Sequence, residues 1–84
     1  MIYLEIVTPD RKVFEGEVSA ATFPGTNGAF QVLSNHAPLI STLAKGPLKY
    51  IVNDKESIII VDGGVVEVLE NKIIVLAEAV EDAE

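Results

Sequence analysis

Turn signals recur along this chain roughly every 8–12 residues, the spacing that accompanies many short strands folded into a sandwich or barrel. Between them lie runs in which apolar and polar side chains alternate. Ile2, Leu4 and Ile6 alternate with Tyr3, Glu5 and Val7 up to the turn Thr8-Pro9-Asp10. Such a period of two places one set of side chains on one sheet face and the other set opposite. Lys12–Glu17, with Gly16 as an interruption, Val18–Phe23 and Ala29–Leu33 read as further short strands, and Pro24-Gly25-Thr26-Asn27-Gly28 as the turn before the third of them. After a break at Gly46-Pro47, Leu48–Val52 leads to the Asn53-Asp54 pair, which tolerates positive φ. Ser57–Val61 is almost wholly apolar and reads as a central strand covered on both faces; Asp62-Gly63-Gly64 ends it. Val65–Leu69, the Glu70-Asn71 turn and Lys72–Ala77 make a final hairpin.

No segment carries sustained helical periodicity. Residues 77–84 have a helix-friendly composition, but an isolated helix below ~12 residues is marginal in water. The expected architecture is therefore a single all-β domain over residues 1–84, a two-sheet antiparallel β-sandwich of about eight to ten short strands.

Composition narrows what such a domain does. Hydrophobic residues make up 49% of the 84, and mean hydropathy is +0.36. A chain of this size buries only about 60–70% of its unfolded surface, so some apolar groups are expected in a surface patch that meets a partner. The net charge of −7 disfavours nucleic acid, whose phosphates require clustered Lys and Arg, and direct adsorption to anionic lipid. With no cysteine, disulfides, thiolate metal sites and thiol nucleophiles are all excluded, which suits a reducing compartment. The opening MIYLEIVTPD lacks the features of a signal or transit peptide, and no apolar run approaches the ~20 residues of a membrane helix. These features read as an intracellular soluble protein, bacterial in style.

The one histidine, His36, lies in Ser34–Leu43, SNHAPLISTL. Ser34, Ser41 and Thr42 are near it in sequence, but no nucleophile elbow is present, and one histidine without cysteine makes no typical zinc site. No DxDxDG loop offers a calcium site, and the Pro-Gly turn at 24–28 lacks the lysine of a phosphate loop. Glu15 and Glu17 share a strand face and could form an acid/base pair, though solvated edge charges that discourage edge pairing are the commoner arrangement. No catalytic residue, metal site or cofactor is therefore assigned. The NHAPL stretch reads instead as a stiff corner. Pro38 fixes its own φ and extends Ala37, Asn35 accepts a left-handed backbone, and His36 can tie the loop down. Leu39, Ile40 and Leu43 are expected to anchor its exit in the core.

With those residues in order, the segments IVTPDRKVFEGEV, FPGTNGAFQVLSNHAPLISTLAKGPLKY and VDGGVVEVLENKIIVLAEAVE resemble the N-terminal domain of the epsilon subunit of F-type ATP synthases, called delta in mitochondria. The resemblance runs from Leu4 to about Glu81. It rests on the order and spacing of Gly28, Asn35–Leu39, Gly46 and Gly63-Gly64-Val65-Val66-Glu67-Val68. It implies a two-sheet sandwich of about ten strands and a non-catalytic place in the central rotor stalk. There the domain would clamp the gamma subunit to the membrane-embedded c ring and couple ion-driven rotation to ATP synthesis.

By the same resemblance Gly28, Ala29, Phe30, Ser34, Asn35, His36, Ala37 and Pro38 face the c ring. Val7, Ile51 and Val65 are candidates for the gamma-facing surface. Membrane association would come only through the complex, at the cytoplasmic face of a bacterial inner membrane. The chain departs from the family pattern at Gln31 and Val65. It also stops at Glu84, where the family usually continues into a C-terminal helical hairpin, and so reads as a short form or an isolated domain to which hairpin-based inhibition and ATP binding are not transferred. The rival reading is a free-standing sandwich that binds a ligand or protein unrelated to the synthase.

Overall fold

In β1 (Ile2–Val7) the alternating pattern becomes geometry: Ile2, Leu4 and Ile6 are fully buried, while Tyr3, Glu5 and Val7 are half-exposed. The computed structural model describes residues 1–82, and these hold eight strands. After β1 come β2 (Lys12–Val18), β3 (Ala20–Gly25), β4 (Gly28–Val32), β5 (Leu39–Val52), β6 (Lys55–Leu69), β7 (Lys72–Ala77) and β8 (Val80–Asp82). The all-β reading holds.

The strands are nonetheless hydrogen-bonded into one sheet, in the order β2-β1-β7-β6-β5-β3-β4, with β8 also on β6. Two layers arise because β5 and β6 are long enough to pass through both. The first half of β5 pairs with the second half of β6, from Leu39↔Val68 to Leu43↔Gly64, and leads outward to β7, β1 and β2. The second half of β5 pairs with the first half of β6, from Lys45↔Asp62 to Val52↔Lys55, and leads to β3 and β4. The expected breaks at Gly46-Pro47 and Asp62-Gly63-Gly64 are thus corners inside continuous strands, and the two expected sheets are two halves of one. Gly16, expected to interrupt, pairs opposite Leu4 within β2.

The corner explains its own residues. Pro47 falls where the ladder from β5 to β3 is interrupted, between Thr22↔Lys49 and Gly25↔Leu43, so a residue without an N–H is tolerated. Gly64 has φ 139°, and a Cβ there would lie 2.4 Å from the Leu76 carbonyl oxygen. Neither the conformation nor the contact admits another residue. On the far side of β6, β8 continues β7 in the same register, from Gly64↔Ala77 to Val61↔Val80. Glu78 and Ala79 turn the corner between them, with Glu78 N–H donating to the Gly63 carbonyl at 3.3 Å and Asp62 N–H to that of Ala79 at 3.0 Å. The segment whose composition suited a helix is therefore strand over 80–82; residues 83–84 lie outside the described part.

One pairing departs from the antiparallel expectation: β1 and β7 run parallel, from Tyr3↔Lys72 to Leu76↔Val7. Parallel neighbours need a long connection, and here almost the whole domain supplies it.

Between the layers the inward side chains form one cluster, with Leu4, Ile6, Phe23, Leu48, Val61, Val66, Ile73 and Val75 at or near zero exposure. Phe14 of β2 and Tyr50 of β5, which are not sheet neighbours, meet across the layers with ring centroids 4.4 Å apart. Each fully buried Leu, Ile or Phe contributes ~1.5–3 kcal/mol, so the two halves are held by many such contacts at once. Two expectations about burial need correction. Ile40 is 71% exposed, because alternation in β5 turns Leu39, Ser41 and Leu43 inward and Ile40 out. Ser57–Val61 is covered on one face only: Ile59 and Val61 are buried, whereas Ile58 is exposed and Ile60 half-buried.

Candidate functional site

The NHAPL loop joins the edge strand of one layer, β4, to the first strand half of the other, β5. Asn35 adopts φ 66°, the left-handed conformation its side chain tolerates. Its backbone N–H donates to Asn71 Oδ1 at 2.6 Å, and Asn71 Nδ2 donates to Asn35 Oδ1 at 3.2 Å. The loop is thereby tied to the β6–β7 turn. His36 is half-buried, with Nδ1 2.7 Å from the Ala37 carbonyl. That contact is local, and none of the three surface hollows described below includes His36. Ser34, Asn35, Ala37 and Pro38 are exposed.

Gly28, Ala29 and Phe30 sit at the other end of β4, on the β3–β4 hairpin. Thr26 holds its tip against β5, N–H to the Thr42 carbonyl at 3.1 Å and hydroxyl to hydroxyl at 2.7 Å. Gly28 and Ala29 are exposed, but Phe30 turns inward and packs on Phe23 with centroids 5.5 Å apart. At ~3.3 Å per extended residue β4 spans about 13 Å, so the hairpin and the NHAPL loop lie at its two opposite ends.

The outer face of the β2-β1-β7-β6-β5 layer is the more continuous feature. Cross-strand neighbours Thr42, Val65, Leu76 and Val7 form one row over four strands, with Val65 39% and Leu76 56% exposed. Ile40, Glu67, Ile74 and Glu5 form the next row. Paired polar groups border the patch on the β1–β2 side. Tyr3 Oη donates to Glu15, and Lys12 Nζ lies 2.8 Å from Glu15 and 3.4 Å from Glu5. Lys72 Nζ stands 5.6 Å from the Tyr3 ring centroid. Shallow hollows of about 290 Å³ (Val7, Pro9, Leu76) and 250 Å³ (Leu69, Lys72, Ile74) roughen this face. A third, about 360 Å³, lies between Thr8–Arg11 and Glu78–Val80. There the Thr8 hydroxyl donates to Asp10 at 2.7 Å and, with the Asp10 backbone N–H, holds that carboxyl below its ordinary value against the opposing effect of desolvation, the charge of Arg11 adding to the lowering.

Val7 and Val65 are therefore brought together. Ile51 is not: it is half-buried between Ala20 and Glu56 on the other layer. Leu76 is the residue that sequence reasoning missed. The signal was present, since Lys72, Ile74 and Leu76 alternate with the buried Ile73, Val75 and Ala77.

Residues 1–83 match the family model for the ATP synthase delta/epsilon chain, β-sandwich domain. The chain belongs to that family. It is 51% identical over 81 residues to the ATP synthase epsilon chain of Pelotomaculum thermopropionicum, covering 96% of this chain and 60% of that protein. With the epsilon chain of Nitratidesulfovibrio vulgaris it shares 47% over 83 residues, 99% of this chain and 62% of the relative. The chain thus spans about 60% of the length of the curated relatives it matches. Among solved structures, the fold is similar to a chain of the Euglena gracilis mitochondrial ATP synthase OSCP/F1/c-ring structure, with TM-score 0.91 and 23% identity over 96% of this chain and 52% of that one. It is also similar to a chain of the Tetrahymena thermophila mitochondrial central stalk/c-ring structure, with TM-score 0.81 and 20% identity over 95% and 65%.

Proposed function

We propose that this domain is a non-catalytic subunit of the central rotor stalk of an F-type ATP synthase. It clamps the gamma subunit to the c ring and passes ion-driven rotation on for ATP synthesis. Family membership motivates the assignment. The observation that carries it is the apolar row Val7–Leu76–Val65, presented on a stiff two-layer body and bordered by paired charges. An exposed apolar centre with a polar border is the anatomy of a protein interface rather than of a substrate pocket. A body closed by a continuous corner and a close-packed interior deforms little under shear, as torque transfer requires.

In this reading gamma packs on the face of Val7, Val65 and Leu76. Ile51 belongs to a different contact or to none. The hairpin at Gly28–Phe30 and the loop at Ser34–Pro38 offer two separate grips on the ring. The domain reaches the cytoplasmic face of a bacterial inner membrane only through its partners. Mixing the chain with gamma of its own complex tests the assignment: a stable complex at micromolar concentration is expected, and its absence would remove the basis for a clamp. His36→Ala is expected to loosen ring attachment or lower stability, with no turnover by the isolated chain before or after.

A further inference from the structure

We infer that Asn71 is a positioning residue for the NHAPL loop: its side chain and that of Asn35 form a clasp that holds the loop's exposed surface in a single conformation. The two residues are 36 apart in sequence and stand on different connections, the loop between β4 and β5 and the turn between β6 and β7. Both have positive φ, 66° and 61°. Asn71 Oδ1 accepts the Asn35 N–H at 2.6 Å, and Asn71 Nδ2 donates to Asn35 Oδ1 at 3.2 Å.

The same turn residue also uses its backbone, since the Asn71 carbonyl accepts the Tyr3 N–H at 3.0 Å. Three connections of the sheet therefore meet at one asparagine: the entry to β1, the β6–β7 turn and the loop that carries His36. His36 itself does not tie the loop to another strand, because its ring contacts the adjacent Ala37. The amide pair supplies the long-range tie. Only a side chain with both an acceptor and a donor can make both bonds, which neither aspartate nor glycine does.

The role of the clasp in rotor attachment rests on the reading of Ser34–Pro38 as ring-facing; its role in ordering the loop does not. Asn71→Gly separates the two, because glycine keeps the left-handed turn and removes only the side chain. In the folded chain, amide hydrogen exchange at Asn35 is expected to quicken by about five- to thirtyfold, the factor that one or two net hydrogen bonds correspond to, while amides of β7 stay protected. Asn71→Asp, which keeps the acceptor and loses the donor, should fall between.

In the assembled rotor, Asn71→Gly is expected to weaken attachment of the stalk to the c ring several-fold, and Asn53→Gly, in the equivalent turn without a clasp, to leave it unchanged. Unaltered exchange at Asn35 would overturn the inference. So would faster exchange with unaltered attachment, provided that substitutions at Ser34 and His36 do weaken it. If those substitutions also leave attachment intact, the ring-facing reading fails, while faster exchange still supports the clasp as an ordering device.

Discussion

Positive backbone φ is used in two ways at the two ends of this domain. At the corner it belongs to Gly63 and Gly64, at 81° and 139°, and at Gly64 its purpose is closeness: the Leu76 carbonyl occupies the space where a side chain there would be. At the other end it belongs to Asn53, Asp54, Glu70 and Asn71, in two-residue turns of the primed type, and to Asn35. Those residues pay a local cost in conformation but keep side chains that can act. The corner is a steric requirement, whereas the turns are chemical opportunities, and at Asn71 the side chain reaches across to Asn35 on another segment. Residues that share a positive φ thus differ widely in what a substitution does to them.

The largest effect is expected at the corner. Gly64→Ala forces Cβ against the Leu76 carbonyl and adds the left-handed penalty, so denaturant unfolding should show a loss of about 3 kcal/mol or more, or no folded protein at all. Asn71→Ala should cost less, about 2 kcal/mol, from the αL penalty and the lost clasp. Asn53→Ala carries the αL penalty without a clasp and should cost about 1 kcal/mol in the same measurement. Asn53→Gly should lie within about 0.5 kcal/mol of the parent. If Asn53→Ala and Asn71→Ala proved equal, the two turns would be equivalent and the clasp energetically empty.

The smallest effect concerns the Thr8–Arg11 turn beside the corner. Its Asp10 carboxyl has a folded pKa below the ordinary 3.8, so it contributes stability that is fully present above that value and fades as pH falls through the lowered one. Asp10→Asn is expected to flatten that acid limb of the stability profile and to leave the rest of it in place.

Much of this was legible in the sequence because it was local. Alternation in Ile2–Val7 gave the buried set of β1, and Asn53-Asp54 gave a two-residue turn. What escaped was long-range. Gly46-Pro47 and Asp62-Gly63-Gly64 carry the composition of breaks, yet each is a bend within a paired strand, because the partner strand bends with it. The apolar surplus promised a patch, but its members come from β1, β6 and β7, and only the pairing shows that Val7 and Val65 are joined by Leu76 while Ile51 stands apart. Asn71 looked like a turn residue and nothing more, since its partner lies 36 positions away.

The central claim is that the row of Val7, Leu76 and Val65 is where this body meets gamma. Leu76→Glu addresses it most directly, because a residue 56% exposed can take a charge with little effect on folding. Titrating gamma with the parent, with Leu76→Glu and with Ile58→Glu on the opposite layer should show binding lost by at least about thirtyfold for the first variant, the scale of an interface anchor, and unchanged for the second. Undiminished affinity of Leu76→Glu for gamma, with the fold intact, would contradict the account.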